Sequence, residues 1–327
     1  MGNEINIRAM ESADAAGLAA CIQRCYGDAY PKRYMYQPVE LAERVRSGTY
    51  NGVVAITGAE VVGHIGYNRP NPSATVVEAG TTVVDASLRG AGLMGRLAAV
   101  LRENIVADGA FGFVHFPTTA HAIMQKASLQ SGGCETGIML AYLPSEARDL
   151  TIGGGGEARL AVTVVYQPLI EAPVAMICVP DRYQDLIVGF AKRLRLRRTL
   201  TRGFEDATGK TKVQSTVDMH RKLERLTVEH IGQDFADVVM SATEASGATL
   251  IQVDLAMDQP SIHHAVERLR AAGFGFAAWL PGWSKSDVLR LQLLRGATES
   301  ELHPILHSPA ANELAAFIRG ELRAVCS

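Results

Sequence analysis

The stretch DASLRGAGLMGRL, residues 85–97, limits most strongly how this chain can fold. A β-rich run, VVEAGTTVV (76–84), leads into it, and a helical pattern, LAAVLRENIVADG (97–109), leaves it. Gly90, Gly92 and Gly95 free the backbone in between. A strand that turns through small residues into a helix aims backbone N–H groups and the positive end of the helix at one point, which suits a phosphate. Before it stands VVAI-TGAE-VVGHIGY (53–67), two β-rich runs around Gly58 that read as an antiparallel hairpin. A hairpin followed by a single strand–loop–helix unit is not the alternation of a doubly wound fold. The expected class is α/β of the mixed-sheet, α+β kind.

The flanking segments extend this order. INIRAM reads as a first strand, residues 10–25 as a helix started by Ser12 or Asp14, and VELAERVRSG (39–48) as a second helix ended by glycine. After the glycine loop come a helix (93–108), strand FGFVHF (111–116), helix AHAIMQKASLQSG (120–132) and strands TGIMLAYLP (136–144) and LAVTVVYQP (160–168). EARDLTIGGGGEA (146–158) reads as a flexible excursion. From about residue 170 a similar order restarts, and YLP at 142–144 is echoed by WLP at 279–281. This is a weak internal repeat, giving domains 1–169 and 170–327. At the place matching the glycine loop, the second copy has only the lone Gly232 of VEHIGQDFADVV.

Composition narrows the function classes. A net charge of −2 without a basic block speaks against bulk binding to nucleic acid or to a membrane surface. No apolar run could span a bilayer, and the first residues lack the apolar core of a signal peptide. Cys21, Cys25, Cys134, Cys178 and Cys326 are odd in number and scattered, as expected in a reducing cytoplasm. Cys21 and Cys25 share a helix face and read as two buried small residues rather than a metal pair, so no metal is expected.

The loop admits three readings. It can be a plain turn. It can be a dinucleotide site, since Gly90, Gly92 and Gly95 satisfy G-x-G-x-x-G, but the next strand ends without the carboxylate that would hold a ribose. Third, Arg89-Gly90-Ala91-Gly92-Leu93 can cradle the pyrophosphate of coenzyme A. RGAGLMGRL resembles the R/Q-x-x-G-x-G/A loop of the GNAT N-acetyltransferase superfamily, with Met94 at the last G/A position. The element order of residues 5–168 is similar to that fold, and the second half repeats it more faintly. The resemblance implies a GNAT fold in tandem, with a degenerate second copy that covers the cleft, completes the acceptor pocket or forms a homodimer interface. It also implies a site for acetyl-CoA or another acyl-CoA. Arg89, Gly90, Ala91, Gly92, Leu93, Met94 and Gly95 would hold the pyrophosphate, and backbone groups of Thr82, Val83 and Val84 the pantetheine arm. Gly80, inside a strand, marks the bulge that in this family opens the sheet.

Acyl transfer to an amine needs a base, an oxyanion donor and a fate for the thiolate. Glu78 stands where histone-type members of the family carry their base, although a solvated strand-end glutamate reads equally well; beside an apolar cleft its pKa would be raised. A backbone N–H near Val84 could serve the oxyanion. Ser128 occupies the position of the family's tyrosine acid and is a poor substitute. His115 and His121 are alternatives, each also readable as a structural histidine. Tyr26, Asp28, Tyr30, Tyr34 and Tyr36, in CYGDAYPKRYMY, would wall the acceptor pocket, with His64 and Tyr67 of the hairpin on the same side. An aromatic-pinned turn is the structural alternative for this segment. The resulting expectation is an N-acetyltransferase moving acetyl from acetyl-CoA to a small-molecule amine by direct attack in a ternary complex. A non-catalytic acyl-CoA sensor is the alternative, and an NAD(P)-dependent oxidoreductase the third reading.

Overall fold

The computed structural model describes residues 4–147 and 157–323, so the central part of the 146–158 excursion lies outside the described residues. By internal contacts the chain divides into two compact units. One runs to His115 and includes a short stretch beginning at Ser145; the other comprises Phe116–Pro144 and the chain from Glu157 on. The sequence-repeat boundary at 169/170 falls inside the second unit.

In the first unit, β1 (Ile5–Ala9), β2 (Asn51–Thr57), β3 (Glu60–Asn68), β4 (Val77–Val84) and β5 (Gly112–His115) lie side by side in that order. Neighbours are antiparallel up to β4, and β4–β5 is parallel. Helix α1 (Ala15–Tyr26) is preceded by a turn in which the Asp14 carboxylate accepts the Glu11 N–H at 2.8 Å. Leu18, Cys21, Ile22 and Cys25 of α1 and Leu41 of α2 (Pro38–Arg46) pack on one sheet face with Tyr50, Val54, Val61 and Val83. On the other face α3 (Leu93–Ala107) buries Leu93, Leu97, Leu101 and Ile105, and Gly63 lets it approach Ala55 closely. Each such leucine or isoleucine, fully buried, stabilises by about 1.5–3 kcal/mol.

The decisive irregularity is in β4. Pairing with β3 steps from His64↔Val83 to Gly66↔Gly80, so three steps of β4 stand against two of β3. The extra residue is at Thr81–Thr82, and Thr81 has φ +53, in the left-handed region. The bulge expected at Gly80 thus sits one residue later, on a threonine. Already before it the strands part: β4 and β5 pair at Val77↔Phe113 and Glu78↔Val114, although β4 continues to Val84.

The second unit holds α4 (Ile123–Gln130), β6 (Cys134–Leu143), β7 (Leu160–Pro168), β8 (Ala175–Cys178), α5 (Gln184–Leu194), β9 (Arg198–Thr201), β10 (Lys212–Asp218), β11 (Leu223–His230), α6 (Phe235–Ala245), β12 (Leu250–Ala256), α7 (Ile262–Ala271), β13 (Gly275–Leu280), β14 (Val288–Leu294), α8 (Glu299–Leu302) and α9 (Pro309–Arg323). Its sheet runs β7-β6-β13-β14-β12-β11-β10, and β8–β9 form a separate parallel pair. β10-β11-β12 repeats the antiparallel-then-parallel pattern of β3-β4-β5. The sequence reading stops at the β13–β14 hairpin; α9 follows it, started by Ser308, whose Oγ accepts the Ala311 N–H at 2.9 Å.

Two glycines of the first unit should respond oppositely to a methyl group. A Cβ on Gly66 would lie 1.9 Å from the Tyr50 hydroxyl, whereas one on Gly95 would meet nothing within 4 Å. Gly66→Ala is expected to cost about 1–3 kcal/mol in overpacking. Gly95→Ala should be neutral or stabilise by up to about 1 kcal/mol. Urea unfolding followed by circular dichroism checks both.

Candidate functional site

The glycine loop closes as a phosphate cradle would. Gly90 and Gly92 have φ +81 and +75, conformations that L side chains adopt rarely. Gly92 is the N-cap of α3, and no side chain caps that helix. The first-turn N–H groups of Leu93, Met94 and Gly95 therefore lack acceptors within the helix. Side chains added at Gly90, Gly92 or Gly95 would enter open space. Arg89 donates from Nε to the Val84 carbonyl at 3.0 Å, fixing its guanidinium at the end of the splayed strand. The nearby Asp85 is balanced by Arg24, 2.9 Å away; burial would raise its pKa, but Arg24 and Ser87 hold it below the usual range.

The strand edge sorts the three expected pantetheine contacts. The Asp85 N–H bonds the Val62 carbonyl across β3. By antiparallel alternation Val83 turns its polar groups to β3 as well, while Val84 turns its own toward the gap beside β5. Val83 also sits in the core under α1. Thr82 is half-buried at the bulge.

Glu78 pairs with Asn68, which puts it on the sheet face under α1 and α2. It is half-buried, and its carboxylate accepts from Lys32 Nζ at 3.1 Å. The expected apolar surroundings are replaced by an ammonium. Burial alone would lower the Lys32 pKa; the Glu78 charge, with Tyr34 and Tyr30, lifts it above its ordinary value instead. Tyr34 is raised by burial and carries the Arg44 guanidinium over its ring at 4.3 Å.

His64 was expected to face the acceptor but is fully buried beneath this group. Its Nδ1 lies 2.8 Å from the Thr81 carbonyl, which can only accept, so Nδ1 carries the proton. Nε2 then accepts from the Tyr50 hydroxyl at 3.4 Å, and the two rings stack with centroids 5.9 Å apart. Burial lowers the His64 pKa to about 4, leaving it neutral. The histidine is a latch on the bulge, not an acceptor contact.

Other expectations are corrected. Phe113 pairs with Val77, and the Phe113 and His115 rings touch, so His115 stands on the α3 face, opposite Glu78. Burial, with Arg102 adding to it, lowers its pKa to about 4, and it offers no proton near Glu78. Ser128, in the second unit, is buried and donates to the Met124 carbonyl of its own helix at 2.6 Å, so its only proton is committed. Tyr67 turns to the α3 face, where its hydroxyl donates to Asp108 at 2.6 Å.

The tyrosine segment combines a pinned turn with an aromatic wall. Tyr36 donates to the Gly27 carbonyl and accepts the Tyr30 N–H, and Tyr26 packs edge-on against Tyr30. Asp28 is exposed; it accepts from Gln23 and borders a surface cleft with Ala19, Ala20, Arg33 and Tyr36. Lys32 and Tyr50 were missed in the sequence. Lys32 lies within the quoted tyrosine segment, where the aromatics drew attention away from its charge.

The corresponding helix start in the second unit is closed. Asp234 stands at the N-cap of α6 and accepts the Thr211 N–H at 2.7 Å. A Cβ at Gly232 would lie 2.3 Å from the Thr211 nitrogen. β11 and β12 stay paired over six residues, Leu223–Val228 with Leu250–Leu255, so no gap opens.

His64, buried, and His115, half-buried, make stability depend on pH. Each has a pKa near 4 when folded, against an ordinary 6.5. Unfolding therefore takes up protons. Stability should be full above pH 6.5 and fall toward pH 4, by about 3 kcal/mol per histidine. Urea midpoints between pH 7.5 and 4.5 should show this loss, with a shallower profile in His64→Gln; an unchanged profile in the variant contradicts the assignment for His64.

No family model and no curated protein matches the sequence. Solved structures do. An acetyltransferase from Desulfovibrio desulfuricans, described as of the GNAT family, is 12% identical, with TM-score 0.41, covering 51% of this chain and 99% of its own. An N-acetyltransferase from Staphylococcus aureus Mu50 is 17% identical, with TM-score 0.42 and coverages of 51% and 99%. An aminoglycoside 6'-N-acetyltransferase complexed with coenzyme A is 17% identical, with TM-score 0.38 and the same coverages. Among the described residues no helix is long and apolar enough to cross a membrane. The fold is mixed α/β, and the structural neighbours of this chain over about half its length are GNAT acetyltransferases.

Proposed function

We propose that the first unit binds acetyl-CoA or another acyl-CoA, and that the protein is an N-acyltransferase acting on a small-molecule amine. The single observation that carries this is the junction of β4 with α3. A strand edge set free by a bulge leads through a glycine loop into a helix whose first N–H groups lack acceptors. A thioester carrier with a pyrophosphate and a polyamide arm fits that sequence of donors. The phosphate oxygens would be taken by Leu93, Met94 and Gly95 N–H groups with Arg89 beside them, and the arm by Thr82 and Val84.

The bound carrier would supply an acyl group as a thioester. Glu78 would accept the proton of the incoming ammonium once Lys32 releases it. The Val84 N–H would meet developing oxyanion charge. A C–N bond would form as the C–S bond breaks, and the departing thiolate would take up the second proton lost by the amine nitrogen. With a thiol pKa of about 8.5, that leaving group needs no positioned acid, in keeping with the committed proton of Ser128. Residues 170–327 read as a second copy of the architecture that has lost the site, through Asp234 at the helix start and the closed β11–β12 pair.

Gly95→Glu tests the cradle without straining the backbone, because Gly95 is exposed and helical. Calorimetry should show acetyl-CoA bound by the wild type, NADH not bound, and acetyl-CoA binding lost in the variant with its fold intact. Unimpaired binding in Gly95→Glu would remove the cradle from the account. Glu78→Gln should keep binding and lower kcat by about 10²–10⁴. Binding without turnover of any amine would favour the sensor reading.

A further inference from the structure

The Lys32–Glu78 pair bears on what the acceptor must look like. Nζ and Oε1 are 3.1 Å apart, with the two side chains only 21% and 23% exposed. Both are therefore reachable from solvent, yet neither is a fully hydrated surface charge. Several groups around them are uncharged. Tyr30 and Tyr34 lie beside Lys32, Tyr50 is buried with its phenol held protonated, and His64 is buried and uncharged. Arg44, over Tyr34, is itself bonded to Glu40 at 2.8 Å. Within this patch Lys32 and Glu78 pair with each other.

An amine reaching Glu78 has to displace Lys32. If it carries only an ammonium, Lys32 is left half-buried without its partner, and the gain at Glu78 is offset by that loss. If it carries an ammonium and a carboxylate, each half of the pair acquires a new partner, and the number of satisfied charges rises from two to four. The spacing favours short molecules, because the two protein charges begin in contact.

Resting on the acyl-CoA reading above, we propose that the acceptor is zwitterionic, an α-amino acid or a close relative, with its ammonium taken by Glu78 and its carboxylate by Lys32. Lys32 is a specificity-determining residue on this reading. The pair is closed in the free protein and opened by the substrate. Acceptors lacking the carboxylate are disfavoured because they leave the lysine unpaired.

The test is a rate comparison in the full chain. Thiol release from acetyl-CoA is followed with the common amino acids, each beside its own carboxamide, which keeps the ammonium and loses the carboxylate charge. At least one amino acid should be used with a kcat/KM about ten- to a hundredfold above its amide, as expected for one charged hydrogen bond. In Lys32→Met the ratio should fall to near one, through a raised KM for the acid. Retained acetyl-CoA binding by the variant shows that it is folded. Amides used as well as acids, no amino acid used at all, or an unchanged ratio in Lys32→Met would each overturn the proposal. Calorimetry with acetyl-CoA alone separates the two levels. If the wild type does not bind it, the acyl-CoA reading fails and the acceptor proposal with it. If it binds and the amides match the acids, only the acceptor proposal fails.

Discussion

A single contact, the hydrogen bond from buried His64 to the Thr81 carbonyl, sets the geometry of the first unit. Thr81 occupies a left-handed conformation that costs a non-glycine residue about 1–3 kcal/mol. A bond inside the core offsets part of that cost, and more so because leaving the carbonyl unpaired there would add a penalty of its own. Tyr50 stacks on the histidine and closes the cluster. The room comes from Gly52 and Gly66, where a Cβ would run into His64 and Tyr50. The chain thus invests two glycines, a buried tyrosine and a buried histidine in one irregular residue. The return is that β4 leaves β5 after Glu78 and presents a free edge that ends at the glycine loop.

The two units show how small the chemical difference is between a helix start left open and one packed against its own chain. α3 begins on an uncapped Gly92 with open space around the neighbouring glycines. α6 begins on Asp234, whose carboxylate accepts the Thr211 N–H and ties the preceding loop to the helix start. With a second carboxylate, Asp237, in its first turn, the positive end of that helix is already neutralised. The parallel strands before it stay zipped. The same succession of elements can therefore carry a ligand site in one place and a packed, self-satisfied junction in the other.

Much of this was legible in the sequence. The hairpin around Gly58, the glycine loop and the helix after it emerge from local pattern, because each is fixed by turn chemistry and period. The bulge was legible only to within a residue: Gly80 signalled an irregular strand, but the strain settled on Thr81, where a histidine seventeen residues upstream could hold it. Side-chain roles were harder. His64 and His115 both suggested chemistry, but His64 is a neutral core residue and His115 stands half-buried on the face opposite Glu78, since a histidine's surroundings are set by which strand face it occupies. Lys32 escaped notice because its meaning comes from Glu78, forty-six positions away.

The account rests on the claim that the free edge of β4 and the start of α3 receive an acyl-CoA. Hydrogen–deuterium exchange of the full chain, with and without acetyl-CoA, tests it most directly. The account predicts that protection appears at the amides of Thr82, Val84 and Leu93–Gly95, and that residues 231–238 at the start of α6 exchange unchanged. No protection at the α3 start, or protection at α6 instead, would contradict it.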